Sequence, residues 1–383
     1  MAGVHRLYLS PGMFGFGRLA SYDYFSHVER GLVRRFDDAG LRLDAHVVEV
    51  SPTASIRRRA ASLVERVVAT TPEGGGPVHL LGHSTGGLDA RLALSPSVRP
   101  LAGEATRWAE DVRSLTTLST PHYGTPLASF FATVSGQRML YALSALTFIA
   151  LSVGAPPLAA TSALVMAIGR VDRALGVELK ILDRTTDALI GALQPAIGHE
   201  VRAYLEAILS DQGAVIQLTP EAMDLFQAGI EDRPTVRYQC SVSMAPPPSP
   251  TGVVRSLLRP WRAVSHAIFT ALWTITGRLD PRYPCAAPNA GEAAERTLAD
   301  VFGRAPGARA NDGVVPLRSQ IWGDVVWAGL ADHLDVLGHF DGRAESGEEL
   351  RAHQDWLASG ASFNARSFEA LMDAVAKGML ASA

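Results

Sequence analysis

The chain is poor in cysteine: two thiols, Cys240 and Cys285, in 383 residues. That excludes a disulfide scaffold, and zinc-type Cys/His spacings are absent as well. Two free thiols in a reducing cytoplasm are the simpler reading. Excess charge of either sign is also missing. A net charge of −3, with 19% charged residues, offers no basic surface, so no nucleic-acid partner is expected. There is no internal repeat and no phosphate-cradling glycine loop. No apolar leader with a small-residue cleavage site opens the chain, since Met1-Ala2-Gly3-Val4-His5-Arg6 runs directly into a strand-like segment. The expectation is therefore a cytoplasmic protein, at most peripheral to a membrane. What the chain has in quantity is apolar side chain, 47% of the whole, enough for one large core.

Those apolar residues alternate between two patterns. Short runs at 4–9, 44–50, 78–81, 115–118, 236–242 and 325–327 predict strands, with helix-like stretches between several of them. Ile56, Ala60, Leu63, Val64, Val67 and Val68 fall on one helical face, and the chain from Arg351 onward also reads as helix. Strands alternating with helices imply an α/β fold. Its sheet should be mostly parallel and doubly wound, with the active site at the C-terminal ends of the strands.

One motif stands at such an end. Gly82-His83-Ser84-Thr85-Gly86-Gly87 follows the run Val78-His79-Leu80-Leu81 and precedes a helix-like segment. Gly-x-Ser-x-Gly between strand and helix describes a sharp turn that lifts a serine hydroxyl above the sheet. Partners for that serine occur downstream in the order acid, then histidine. Asn311-Asp312-Gly313 reads equally as a surface turn, and His333 as a loop histidine. Taken together after the elbow, they point to Ser84 as nucleophile, His333 as general base and acid, and Asp312 as the group that fixes the imidazole. His339 and Asp335 are the nearest competitors, and Asp332 adjoins His333 at an awkward angle. The glycine-rich loop after the first strand, Ser10-Pro11-Gly12-Met13-Phe14-Gly15-Phe16-Gly17, lets backbone approach a ligand closely. The Met13 and Thr85 amides are the candidate oxyanion hole.

At these residues the chain resembles the bacterial triacylglycerol lipases and carboxylesterases of the α/β-hydrolase fold, of Pseudomonas and Burkholderia true-lipase type. The loop Pro11-Gly12-Met13-Phe14-Gly15-Phe16 is similar to that family's oxyanion loop, and the elbow with Leu88-Asp89-Ala90-Arg91 to its elbow and helix. Ser119-Thr120-Pro121-His122-Tyr123-Gly124-Thr125-Pro126 matches its Thr-Pro-His-x-Gly-Thr-Pro segment, the most specific of the likenesses. Leu218-Thr219-Pro220, Asn311-Asp312-Gly313 and His333-Leu334-Asp335 also resemble family segments. The matches cover most of 4–127 and 311–340 and are loose in between.

Departures from the family bear on its accessories. Pro11 stands where the oxyanion loop has a histidine, and the two cysteines are not at the positions of the family disulfide. The resemblance implies a structural calcium held partly by Asp335, two residues after the histidine. However, His339 replaces a glutamine of that site, and residues 287–295 offer glutamates and Asn289 where a second aspartate should lie. No cofactor is expected, with Asp335 a weak metal candidate.

Two insertions interrupt the α/β alternation. Residues 139–169 contain no charge and are split by Pro156-Pro157 into pieces short of, or at the margin of, the ~20 residues of a spanning helix. They read as a helical hairpin over the active site. The expected organisation is a hydrolase core at 1–126 and 236–383 with a helical cap or lid at 127–235, and a second insertion at about 246–290. In that second insertion Leu257, Leu258, Trp261, Phe269, Trp273 and Ile275 mix with Arg255, Arg259, Arg262 and Arg278. This composition suits either a lipid interface or a cap helix with a solvated basic face. The function expected is hydrolysis of acyl or lipid esters. Acyl transfer by the same residues, or a non-catalytic scaffold binding a lipid or partner, is the alternative.

Overall fold

The computed structural model describes residues 4–13, 18–19, 22–71, 75–98, 107–133, 136–137, 139–140, 143–144, 190–191, 195–248, 260–340 and 353–382. Each of the six apolar runs is a strand: β1 (His5–Ser10), β4 (Leu43–Val47), β5 (Val78–His83), β6 (Val112–Leu118), β7 (Arg237–Met244) and β8 (Asp324–Leu330). Two-residue strands β2 (Arg18–Leu19) and β3 (Tyr22–Asp23) pair separately. The six form one sheet in the order β4-β1-β5-β6-β7-β8, parallel throughout. Helices cover both faces, so the central strand β5 is buried at every residue, His79 and His83 included.

The winding order positions the site. From β1 the chain passes through α1 (Ser26–Asp38) to β4 on one side. It then returns through α2 (Ile56–Thr70) to β5 on the other side of β1. From β5 it steps outward, through α3 (Thr85–Leu94) to β6 and on to β7 and β8. Connections therefore leave β1 and β5 in opposite directions, and a crevice opens above their C-terminal ends. This is the α/β-hydrolase fold, with the Ser84 turn directly after β5.

Helix α1 packs with the C-terminal helix of the chain, Ala365–Leu380, on one face through Val28, Leu32, Phe36, Leu371, Met372 and Val375. On the other face Leu63, Val64 and Val67 of α2 meet Ala90 and Leu94 of α3 above Tyr8, Leu80 and Leu115. Helix α2 departs from its sequence pattern at two positions. Val68 is 41% exposed, while Arg59 is fully buried because it turns inward to a carboxylate of α3.

Further helices are α4 (Pro126–Phe131), α5 (Pro195–Ser210), α6 (Gly213–Gln217), α7 (Pro220–Gly229), α8 (Pro260–Thr276), α9 (Glu292–Phe302) and α10, the Ala365–Leu380 helix. Thr219 of the Leu-Thr-Pro segment caps α7, accepting from the Ala222 amide at 3.3 Å. The chain from Arg351 is less helical than its composition suggests. Residues 353–364 are irregular, with Ala358, Gly360 and Ser362 at positive φ, and helix begins only after the Asn364 cap. Apart from 139–140 and 143–144, the uncharged run and its expected hairpin lie outside the described residues. No described helix is long and apolar enough to cross a membrane.

Candidate active site

Ser84 is held in a conformation that few residues adopt, with φ 53° and ψ −125°. Such backbone costs about 1–3 kcal/mol and persists only where the surroundings impose it. Three glycines make the imposition feasible. A Cβ on Gly82 would lie 2.2 Å from the Gly87 nitrogen, one on Gly86 2.0 Å from the Ser10 carbonyl oxygen, and one on Gly87 2.2 Å from Thr120 Oγ1. The Ser84 amide donates to the Leu118 carbonyl at 2.8 Å, tying the elbow to β6. Ser84 itself is 7% exposed.

The structure brings His333 and Asp312 to that serine. His333 Nε2 lies 3.0 Å from Ser84 Oγ, and Nδ1 lies 2.8 Å from Asp312 Oδ2. A carboxylate only accepts, so Nδ1 carries the proton and the Nε2 lone pair faces the serine hydroxyl. Asp312 is fully buried and well supplied with donors. Its Oδ1 accepts from the Val314 and Val315 amides at 2.9 and 2.7 Å, and its Oδ2 from Gln320 Nε2 at 3.3 Å. Asn311-Asp312-Gly313 is a turn that also presents the Asp312 carboxylate to His333: Gly313 has φ 97°, and its amide donates to Asn311 Oδ1 at 2.8 Å. Gln320 and Ser243, whose hydroxyl lies 3.5 Å from Asp312 Oδ2, were not singled out by the sequence reading. Of the competitors, buried His339 packs edge-on against Trp356, its centroid 6.0 Å away.

The Ser-Thr-Pro-His segment is a bracket for the acid loop. Thr125 Oγ1 donates to the Val314 carbonyl at 2.6 Å, and Ser319 Oγ to the Gly124 carbonyl at 2.7 Å. The His122 amide donates to the Ser319 carbonyl at 2.8 Å. Buried Arg91 donates to His122 Nδ1 at 3.3 Å and stacks on Trp322, 3.4 Å from the ring centroid. Burial and the Arg91 charge hold His122 well below an ordinary histidine pKa. Both cysteines are free and buried, and Cys285 Sγ contacts the same Gly124 carbonyl at 3.3 Å.

The loop after β1 lies against the serine. A Cβ on Gly12 would be 2.8 Å from Ser84 Cβ, so only glycine fits there. Met13 follows Gly12. Thr85 is the first residue of α3, where amides have no partner within the helix. The loop is anchored by a group that the sequence reading did not identify. Arg59 donates to the Pro11 carbonyl and forms a 2.9 Å ion pair with Asp89, both side chains fully buried. Ser10 Oγ also donates to Asp89, at 3.1 Å. Burial lifts Asp89 to about 6, against the pull of Arg59. Gly15 and Gly17 lie outside the described residues.

On the acid loop's outer side sits α8, the aromatic and basic stretch. Phe269 is fully buried, 3.1 Å from where a Gly313 Cβ would be, and Thr276 Oγ1 donates to the Gly313 carbonyl at 3.1 Å. Trp273 supplies a carbonyl to Asn311 Nδ2 at 3.2 Å. Its apolar face therefore supports the site. Leu257, Leu258, Arg255 and Arg259 lie outside the described residues.

Asp335 is not alone. Asp332, Asp335 and Asp355 present carboxylate oxygens within 4.8 Å of one another. The family-like partners do not join them: the His339 carbonyl accepts from the Gln354 amide at 2.8 Å, and Glu295 pairs with Arg318 at 2.6 Å. Burial raises all three carboxyls, Asp332 to about 7. Asp332 Oδ2 is buried with no hydrogen-bond partner among the described residues. Arg262 pairs with Asp355 at 3.4 Å and His353 Nε2 lies 3.3 Å from Asp335 Oδ1, so basic side chains stand at two of the three carboxyls; the oxygen donors also suit a hard divalent ion. The set fits calcium, through Asp332 and Asp355 in place of the partners first expected.

A parallel sheet with a serine elbow at its switch point and a Ser–His–Asp hydrogen-bonded chain above it defines an α/β-hydrolase. No protein-family model matches the chain. A triacylglycerol lipase of Vibrio cholerae serotype O1 is 37% identical over 123 residues, which cover 31% of this chain. The match spans about a third, 33%, of that relative's length. Among solved structures, lipase 1 of Pelosinus fermentans is similar at 16% identity and a TM-score of 0.49, over 98% of this chain and 99% of that one. Staphylococcus hyicus lipase is similar at 14% identity and 0.48, over 98% and 96%.

Proposed function

We propose that the chain is a serine hydrolase of carboxylic esters, of the true-lipase type, acting on acyl or lipid esters. The carrying observation is the unbroken chain from Ser84 Oγ through His333 to buried Asp312, at 3.0 and 2.8 Å. Ser84 Oγ attacks the acyl carbonyl as His333 Nε2 takes its proton, and Asp312 stabilises the imidazolium. The Met13 and Thr85 amides receive the oxyanion. His333 returns the proton to the departing alcohol. Water, deprotonated by His333 in turn, then attacks the acyl-enzyme and releases the acid and Ser84.

The inserted segments within 127–235 and about 246–290 are assigned to a cap or lid on their apolar composition. Asp332, Asp335 and Asp355 would hold a calcium ion, which would supply positive charge to their crowded carboxylates. Two unpaired buried thiols suit a reducing compartment. A fluorophosphonate should label the wild-type chain at Ser84 and leave Ser84→Ala untouched. A series of p-nitrophenyl esters then reads acyl length. Absence of both labelling and turnover refutes the proposal.

A further inference from the structure

Pro11 has no side-chain donor and Gly12 no side chain, so the oxyanion loop must be held through its backbone by groups elsewhere. The peptide unit joining them is held at both edges. Arg59 donates to the Pro11 carbonyl, and the Gly12 amide donates to Tyr24 Oη. The next amide along is that of Met13. Holding the 11–12 peptide fixes the plane from which, across Gly12, the Met13 N–H projects.

Tyr24 lies in the turn before α1, buried at 8% exposure, and its hydroxyl is 2.6 Å from His83 Nδ1. His83 Nε2 lies 2.9 Å from the His333 carbonyl oxygen. A carbonyl accepts only, so His83 must carry its proton on Nε2, and Nδ1 must accept from Tyr24. The polarity then runs one way, from the Gly12 N–H to Tyr24 Oη–H, to His83, to the His333 carbonyl. His83 immediately precedes the nucleophile, and its ring centroid is 4.8 Å from that of His333. Burial, with His333 alongside, keeps it neutral. A neutral imidazole leaves the developing charge on His333 unopposed.

We propose that Tyr24 and His83 are positioning residues, a hydrogen-bonded strut that sets the oxyanion loop and the base loop at one fixed separation across Ser84. The strut rests on the reading of Ser84 as nucleophile. It acts on the transition state rather than on substrate binding, because the spacing matters once the oxyanion and the imidazolium have formed.

Tyr24→Phe removes the hydroxyl and little else. Its kcat on a p-nitrophenyl ester should fall about 10- to 100-fold, below the ~10²–10³-fold effect of deleting an oxyanion donor outright. KM should stay within about twofold, and the affinity for a tetrahedral boronic acid adduct should weaken by the same factor as kcat. His83→Gln offers an amide that can donate to the His333 carbonyl and accept from Tyr24, so it should retain most of the activity. His83→Leu should lose as much as Tyr24→Phe. Should Tyr24→Phe fail to fold, the two His83 variants carry the same comparison. Unchanged kcat and adduct affinity in Tyr24→Phe overturn the proposal, whatever happens to melting temperature, and so does equal loss in His83→Gln and His83→Leu. A wild-type chain that resists fluorophosphonate at Ser84 overturns the hydrolase reading itself, a separate failure.

Discussion

Asp312→Asn changes one oxygen to an NH₂, and the surrounding donors dictate where that NH₂ goes. The Oδ1 position accepts from two backbone amides, at 2.9 and 2.7 Å, so the amide oxygen of asparagine must stay there. The NH₂ then occupies the Oδ2 position, 2.8 Å from His333 Nδ1. Nδ1 has to accept, the ring proton moves to Nε2, and His333 meets Ser84 Oγ with a donor where a base is needed. Gln320 cannot relieve this by flipping. Its Oε1 accepts from the Ser243 amide at 2.8 Å, and its Nε2 donates to the Ser243 and Val315 carbonyls at 3.0 and 3.3 Å. A wrong tautomer with intact geometry lowers turnover by about 10⁴-fold, equivalent to ~5.5 kcal/mol in the barrier. The assay is kcat on a p-nitrophenyl ester together with the rate of fluorophosphonate labelling, and both should fall in parallel. A variant within tenfold of wild type on both measures would falsify the assignment of Asp312 and return Asp335 to consideration.

His333→Ala should abolish turnover, whereas His339→Ala should leave most of it; kcat for the two variants decides between them. Calcium should raise the melting temperature, by the equivalent of about 2.7 kcal/mol at a hundred times its Kd, and Asp355→Asn should remove that response. No calcium shift in the wild-type chain refutes the carboxylate site. Burial holds His79 at about 3 and also lowers His5, its neighbour at 3.0 Å. Below pH 6.5 the unfolded chain therefore binds more protons than the native one. Stability falls as pH drops, by up to ~1.4 kcal/mol per pH unit for each such histidine, until the folded-state pKa is reached. Denaturant midpoints between pH 7 and 5 test this, and His79→Gln should flatten the slope. Finally, if the proposed cap meets lipid, ester turnover should rise above the substrate's solubility limit. A rate curve with no break there argues for a fixed cover.

Local pattern carried much of the fold and the three residues of the hydrogen-bonded chain. All six sheet strands announce themselves as short runs rich in apolar residues, because strands in a sheet flanked by helices bury much of their side-chain surface. The elbow is legible because its turn needs glycine at fixed offsets from Ser84, and the order of serine, acid and histidine follows from the winding of the sheet. The family-like Thr-Pro-His segment could be recognised but not interpreted, since its partners, Val314 and Ser319, come from far along the chain. Tertiary structure alone decided the groups that meet across such distances. Arg59, outside the apolar set read for α2, is buried only because Asp89 of α3 stands opposite it. Tyr24 and His83 are joined only because β5 ends beside the turn that leads into α1. Asp355 joins Asp332 and Asp335 only because residues 353–364 leave the helical path, with three backbones at positive φ. Apolar periodicity records which face of an element is buried. It holds no record of which polar atom will stand 3 Å away, because that pairing is set by the packing of elements remote in sequence.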